Sequence, residues 1–233
     1  MLFRSSNPDL TYINTPALTS CVFASGNTDL GSRGPQTDPA VRQAIYHAMN
    51  RGQLNTLAGG GFAAEASPSL LVPGRDDAWI SDAVDRTVPQ GPDVDRAKQI
   101  LQDAGWTEGD DGVRVKNGER LSLTVQTVSG WSDFISINDT LVQQLAAVGI
   151  ELKTSQVSWN EWNQKQVNGD FQLSLDSLGL GASTDPFFIY NRMLHSDSTT
   201  PVGQAATGGN YARYSNKITK RSEERRVGKE CRS

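Results

Sequence analysis

The chain has 233 residues, 36% of them hydrophobic, and a formal net charge of −4 at pH 7. Its length allows one domain or two small ones, and its acidic balance argues against a nucleic-acid partner, which would favour a basic surface. No run of apolar residues in the sequence approaches the roughly 20 that a membrane-spanning helix needs.

The two ends of the sequence differ from the part between them. Residues 1–19 are polar and non-periodic, lack the apolar stretch of a signal peptide, and are interpreted as a truncated arm. Residues 221–233, RSEERRVGKECRS, resemble the translation of a DNA sequencing adapter, and we treat residues 219–233 as a disordered, non-native tail. Without this tail Cys21 is the single cysteine, so no internal disulfide is expected.

The first regular elements are predicted between residues 20 and 51. Residues 20–27 indicate a short buried strand that ends in a turn. Asp38 is a good N-cap, and Pro39 suits the first position of the helix that follows. Apolar side chains then recur at i, i+3, i+4, i+7 and i+8, which predicts an amphipathic helix packed on a core. This stripe consists of Val41, Ala44, Ile45, Ala48 and Met49.

The segment that follows, up to Pro92, is predicted to be irregular but packed. Its run of three glycines at residues 59–61 resembles a phosphate-binding loop, but no Gly-Lys-Ser/Thr follows and no strand precedes it, so we reject that interpretation. We expect Trp79 to fill a gap in the core rather than to contact a ligand.

Helices and strands alternate from Asp93 onward. Asp93 is predicted to cap a helix that stops at Gly105, and the Asn117-Gly118 pair predicts a type I′ turn between two short strands. Strands separated by helices of the observed lengths favour parallel pairing with right-handed crossovers. The later strands are expected at residues 121–126 (half-buried), 150–157 and 169–175, and the later helices after Gly130, at residues 159–168 and after Thr184.

Several of these stretches resemble one known family. Residues 38–51, DPAVRQAIYHAMNR, are similar to the D-x-x-V-R-Q-A-[IL]-x-x-A-[IM]-[ND]-R helix of solute-binding family 5 of the ABC importers, the oligopeptide- and dipeptide-binding group. Further similar stretches follow in the family's order, among them DVDRAKQILQDAGW, LVQQLAAVGIEL and NYARYSN. The resemblance implies that residues 20–218 form an α/β fold, the second lobe of a bilobal periplasmic-binding-protein-like architecture. In such a lobe a mixed, largely parallel sheet carries helices on both faces.

The resemblance also implies a function. Members of the family act outside the cytoplasm, in the periplasm or lipid-anchored at the outer face of the cell membrane, and bind a solute between two lobes. The expected partners are an oligopeptide or oligosaccharide solute, the permease subunits of an ABC importer and the missing first lobe of the same protein. The resemblance implies no catalysis, and we expect no cofactor, no metal and no nucleic-acid partner.

Candidate ligand-binding residues are those expected at the carboxyl ends of the strands, where open α/β sheets bind their ligands. Trp131 follows a strand and precedes a helix, and contact with a ligand and simple packing are equally good interpretations of it. Asp133 is predicted to cap that helix. Asn27 is expected to face the same region if the strands are parallel. The remaining candidates are Gly181, Ala182, Ser183 and Tyr190.

One departure from the family pattern bears on the solute. Peptide-binding relatives carry an Asp three residues before the D/E-P pair, and a Trp three residues before that Asp. Counting back from Asp185 gives Ala182 and Gly179 here. A peptide ammonium group would therefore lose a charge-assisted partner, which favours an oligosaccharide solute over a free-amine peptide.

Three other classes remain as alternatives. A metal or nickel-chelate binder of the same family would need converging ligands, but His47 and His195 have no ligand at a useful spacing. A hydrolase with an unfamiliar site lacks any G-x-S-x-G motif, and the Asp110-Asp111 pair is better explained as a solvated turn. A structural interaction domain would show no cleft with exposed aromatic residues at the strand ends.

Overall fold

The computed structural model describes residues 19–58, 67–178 and 185–215. Residues 1–18 of the predicted arm and the whole predicted tail therefore lie outside the described residues, whereas Thr19, the last residue of the predicted arm, begins a strand. The helices in the described part are α1 (Pro39–Ala48), α2 (Arg51–Ala58), α3 (Val94–Asp103), α4 (Ser132–Ala146), α5 (Trp159–Asn168) and α6 (Phe187–Leu194). The strands are β1 (Thr19–Ala24), β2 (Thr107–Glu108), β3 (Arg114–Lys116), β4 (Glu119–Arg120), β5 (Ser122–Val128), β6 (Glu151–Val157) and β7 (Leu173–Leu178).

The larger sheet has four strands in the order β1-β7-β5-β6. β5 pairs in parallel with β6 on one side and with β7 on the other, as expected for strands joined through α4 and α5. β1 pairs antiparallel with β7, so that Thr19 lies opposite Leu178 and Ala24 opposite Leu173. The predicted α/β lobe with a mixed, largely parallel sheet is confirmed.

A second, smaller sheet contains β2, β3 and β4 in that order, all antiparallel. The predicted turn between β3 and β4 is present, with a φ of 53° at Asn117 and 80° at Gly118. Positive φ at both central residues is what a type I′ turn requires, and it is why Asn and Gly occupy these positions.

α1 begins as predicted but ends earlier. The Asp38 carboxylate accepts a hydrogen bond from the Ala40 N–H at 2.9 Å, and the predicted stripe is buried from Val41 to Ala48. The backbone then becomes extended at Met49 (ψ 125°), and α2 starts at Arg51 as a separate helix. A single amphipathic stripe did not reveal this break.

The main core lies on one face of the larger sheet. α1, α3 and α4 bury their apolar sides there against the β5 residues Leu123 and Val125 and against Leu152 of β6. α5 packs on the other face, because its Gln166 meets Ser174 and Asp176 of β7 through hydrogen bonds of 3.4 and 2.8 Å. Helices thus cover both faces, as expected for strands of a parallel sheet.

β5 alternates as predicted over its first half, where Leu123 and Val125 are buried and Ser122 and Thr124 are only partly buried. Its polar face closes at Gln126, which is 4% exposed. β5 is an interior strand with α5 above it, so both of its faces are covered. The Gln126 amide donates to the Ser174 hydroxyl at 3.3 Å, which satisfies that buried polar group.

A second, smaller core joins the irregular segment to α6. Leu71, Val72, Ile80 and Ile189 form it, with Tyr190 and Met193 packed at its margin. Trp79 does not belong to this core: it is 57% exposed, so the prediction that it fills a gap in the core is wrong. Trp79 lies in a single 3₁₀ turn whose apolar neighbour Ile80 takes the inward position instead.

Candidate functional site

The carboxyl ends of β5 and β6 carry adjoining loops. The Ser129 N–H, just after β5, donates to the carbonyl of Val157, the last residue of β6, at 2.8 Å. The chain then turns tightly at Gly130 (φ 90°) and enters α4 with Trp131 at the N-cap position. After β6, Ser158 caps α5 and Trp159 is its first residue. Two tryptophans thus begin the segments that follow the two strands.

Aromatic rings cluster at this edge of the sheet. The Trp131 ring lies 5.3 Å from the Phe134 ring and 5.5 Å from the Trp162 ring, both in edge-to-face geometry. Trp162 is 5% exposed and Trp131 is half-buried. Trp159 lies one turn before Trp162 on α5 and is 54% exposed. We call these four residues the strand-end aromatic cluster.

The cluster contains an unpaired hydrogen-bond donor. Among the residues that the structure describes, no acceptor meets the buried indole N–H of Trp162. Buried tryptophans normally find a partner for this group, and leaving it unpaired disfavours the folded state. The buried Trp162 N–H is itself out of a ligand's reach, so what the cluster offers is the exposed ring surface of Trp131 and Trp159.

The start of α4 differs from the prediction. Trp131 rather than Asp133 is the N-cap residue, and no side chain caps the helix. The Asp133 carboxylate instead accepts from the adjacent Phe134 N–H at 2.9 Å. The turn at Gly130 brings the chain into helical geometry sooner than the capping preference of Asp133 indicated, so that prediction is wrong. The positive end of α4 thus lies at the strand-end edge without a side-chain cap.

Asn27 lies at the opposite edge of the sheet. Because β1 is antiparallel to β7, its carboxyl end meets the beginning of β7 rather than the end. Asn27 has structural partners there: its side chain accepts from the Asp29 N–H at 3.0 Å and donates to the Arg213 carbonyl at 2.8 Å. The expectation that Asn27 faces the same region as Trp131 is therefore wrong.

The other predicted residues are not brought to the cluster by the described part of the chain. The Tyr190 hydroxyl donates to the Ser69 carbonyl at 2.9 Å, and burial raises the pKa of this tyrosine. Gly181, Ala182 and Ser183 lie outside the described residues. Ligand contact by any of these residues, Trp131 included, remains a prediction.

Sequence reasoning missed two members of the cluster. Residues 159–168 were expected to form a polar helix, and α5 has these bounds, but Trp159 and Trp162 received no role. The available signal was positional: Trp159 follows β6 as closely as Trp131 follows β5. The same strand-end argument that selected Trp131 would have selected Trp159.

Among the described residues there is neither a group of metal ligands nor a membrane-spanning helix. Within the ranges 19–58, 67–178 and 185–215, no three His, Cys, Asp or Glu side chains are grouped so that they could hold a metal ion. In the same ranges, no helix combines the length and the apolar character needed to cross a membrane.

The fold agrees with the family indicated by the sequence. Residues 4–200 match the family model for bacterial extracellular solute-binding proteins, family 5 (middle). The chain belongs to this family.

Among curated relatives, the oligopeptide-binding protein AppA of Bacillus subtilis (strain 168) is 31% identical over 185 residues. That alignment includes 77% of this chain and 31% of AppA. Protein XP55 of Streptomyces lividans is 32% identical over 170 residues, which are 72% of this chain and 29% of XP55. The chain spans about a third of the length of these two relatives.

Solved structures show the same fold. The periplasmic oligopeptide-binding protein of Thermotoga maritima, crystallised with mannohexaose, superposes with a TM-score of 0.73 at 22% identity. The superposition covers 89% of this chain and 38% of that protein. AppA of Bacillus subtilis in complex with a nonapeptide gives a TM-score of 0.69 at 26% identity, with the same coverage of 89% and 38%.

Proposed function

We propose that this chain, through residues 20–218, supplies one lobe of an extracytoplasmic receptor for an ABC importer. The receptor captures an oligopeptide-like or oligosaccharide solute between two lobes and delivers it to the permease. The observation that carries the proposal is the strand-end aromatic cluster, which lies where α/β lobes of this kind bind ligands. The receptor binds and releases its solute without changing it chemically.

The cluster suits a solute that is bound by ring faces. Trp131 and Trp159 keep exposed surface, and the rings of Trp162 and Phe134 pack edge-to-face against Trp131. An indole face stacks equally well on a sugar ring or on an apolar peptide side chain. Ala182 and Gly179 stand where peptide-binding members have an Asp and a Trp, which favours the oligosaccharide.

The division of the cleft between two lobes also bears on the affinity for the solute. A cleft between two lobes gains part of its contacts from each of them, and closure of the lobes signals the bound state to the permease. One lobe alone has an open, solvent-facing edge. We therefore expect the isolated 233-residue chain to bind the solute far more weakly than a full-length receptor that contains it.

Calorimetric titration with mannohexaose and with a mixed nonapeptide pool tests the proposal on the full-length receptor. Trp131→Ala and Trp159→Ala should each weaken binding at least about tenfold, because buried tryptophan contacts dominate such interfaces. Trp79→Ala is the matched control, since Trp79 is as exposed as Trp159 but lies outside the strand-end aromatic cluster. Thermal unfolding of each variant separates lost affinity from lost folding.

Two results would contradict the proposal. One is a full-length receptor that binds neither class of solute. The other is a receptor whose affinity survives both strand-end substitutions but falls with Trp79→Ala.

A further inference from the structure

A concavity lies at the other edge of the larger sheet, away from the strand-end aromatic cluster. It has a volume of about 360 Å³ and is formed by β5, β6, the end of α5 and the loop that follows β1. Its contribution from β7 is Leu173, the first residue of that strand, whereas Trp131 follows the last residue of β5. The two sites are therefore at opposite ends of the parallel strands. We call this concavity the amino-edge pocket; its polar lining includes Arg33, Thr124, Gln126, Ser155, Lys165 and Asp170.

The floor of the amino-edge pocket is neutral and polar. Thr124 and Gln126 alternate along β5 and so share one face, and Ser155 of β6 is the register partner of Gln126. Gln126 is 4% exposed and is held by its hydrogen bond to the Ser174 hydroxyl at 3.3 Å. A deeply buried amide with two hydroxyl-bearing neighbours provides fixed donors and acceptors for a small polar ligand.

The rim of the pocket carries charges of both signs. The Arg33 guanidinium is held through one nitrogen, which donates to the Ser32 carbonyl at 2.7 Å and to the Thr28 carbonyl at 3.1 Å. Asp170 is exposed just beyond the carboxyl end of α5. None of the ion pairs between described residues uses Arg33 or Asp170. The third rim charge, Lys165, is paired with Glu161 at 3.1 Å.

We propose that the amino-edge pocket binds a small zwitterion of the size of a free amino acid. Arg33 takes its carboxylate, Asp170 takes its ammonium group, and the floor contacts a polar side chain. A guanidinium and a carboxylate are the natural charge-assisted partners of these two ends. A volume of about 360 Å³ is at the small end of ligand pockets and suits one residue rather than an oligomer.

Titration of the 233-residue chain with L-glutamine and L-serine tests this site directly. N-acetyl-L-glutamine amide, which lacks both charges, serves as the matched uncharged probe. The amino acids should bind at least about tenfold more tightly than the amide, because the amide cannot form the charge-assisted hydrogen bonds to Arg33 and Asp170. Absence of binding of both amino acids at millimolar concentration, or equal binding of the amide, would overturn the proposal.

Substitutions test where in the fold L-glutamine binds. Arg33→Gln and Asp170→Asn should each weaken L-glutamine binding about tenfold, whereas the exposed Arg96→Gln and Asp139→Asn variants should bind as the unchanged chain does. In ¹H–¹⁵N spectra the ligand should shift the amides of Gly31 and Gly169 and leave the Trp131 indole unchanged. Shifts at Trp131 with none at the two glycines would place the amino acid at the strand ends and refute the inference. Because the two sites are separate, binding of L-glutamine at the amino-edge pocket is tested independently of solute binding at the strand-end aromatic cluster.

Discussion

The side chain of Arg213 lies against Gly169, packed so closely that this glycine has no room for a side chain. Arg213 is 0% exposed, and its guanidinium donates to the carbonyls of Val167 at 3.0 Å, Gln204 at 3.2 Å and Tyr211 at 2.8 Å. Val167 is in the last turn of α5, so the cation lies at the negative end of that helix. The buried Arg213 side chain thus joins α5 to the loop that carries Gln204 and Tyr211. Burial lowers the pKa of Arg213, but arginine stays protonated in proteins.

Gly169→Ala should destabilise the fold strongly, because a methyl group there displaces the Arg213 guanidinium. Gly203→Ala is the matched control, since Gly203 also has a positive φ (90° against 73°) but no atoms in the space of a Cβ. Left-handed backbone costs about 1–2 kcal/mol for alanine at either position. Loss of the buried cation's partners should add about 3 kcal/mol at Gly169. Urea unfolding measures both variants; equal losses would contradict this role of Arg213.

Asp38→Asn should destabilise the chain at neutral pH. Burial alone would raise the pKa of Asp38, but hydrogen bonds from Lys116 (2.9 Å), the Ala40 N–H (2.9 Å) and the Trp106 indole (3.1 Å) outweigh burial and leave the pKa below 3.8. Because the folded-state pKa is depressed, this stabilisation is present above pH 3.8 and is lost as pH falls through the folded-state value. We expect a loss of about 1 kcal/mol at pH 7, measured by urea unfolding.

The pH dependence provides the control for Asp38. Below the folded-state pKa the carboxyl group is protonated, so the wild type and Asp38→Asn should approach each other in stability. The exposed Asp139→Asn variant should show no such convergence. A difference between wild type and Asp38→Asn that persists unchanged into acid would exclude the proposed charge interaction with Lys116.

Glu151 should titrate well below an ordinary glutamate. Hydrogen bonds from Arg120, Ser122 and Lys153 lower its pKa from 4.5 to about 2, with Arg120 making the largest contribution. Carbon-detected NMR of the Glu151 carboxyl group should give this value in the unchanged chain. Arg120→Gln should raise the Glu151 pKa, and the distant Arg96→Gln should leave it unchanged. A Glu151 pKa of 4.5 in the unchanged chain would show that the ion pair is not formed in solution.

Thr127→Val should stabilise the chain. The Thr127 hydroxyl is buried on the β5 face that Leu123 and Val125 share, and it has no hydrogen-bond partner among the described residues. Valine has nearly the same shape and removes an unsatisfied polar group, so we expect a gain of about 1 kcal/mol. Thr154→Val, at an exposed position on β6, should change stability by less. A clear loss of stability for Thr127→Val would imply a partner for this hydroxyl.

Local signals predicted the elements of this fold well. Asp38 and Asp93 cap the helices that they were expected to cap, Asn117 and Gly118 form the expected turn, and α5 has the predicted bounds. Each of these features depends on residues that are neighbours in sequence. Capping, turn geometry and amphipathic periodicity are decided within one or two turns of chain.

The predictions that were wrong concern features determined by contacts between distant parts of the chain. The half-buried prediction for β5 holds at Ser122 and Thr124 but not at Gln126, because strand order, not the strand's own pattern, made β5 an interior strand. Asn27 was misplaced because the direction of β1 is set by its pairing with β7, which is far away in sequence. Trp79 was expected in the core because tryptophan is large and apolar, but the residue that points inward at this turn is Ile80.

The direction of β1 has a mechanical consequence. Thr19 pairs with Leu178, so the amino end of β1 lies at the edge of the sheet that carries Trp131. A force applied along β1 from that end loads its six register pairs with β7 together, in shear rather than one after another. Six pairs loaded at once resist sliding, and the sheet would therefore move as one rigid piece with the strand that enters it. β1 is thus placed to transmit a force applied at its amino end to the whole sheet.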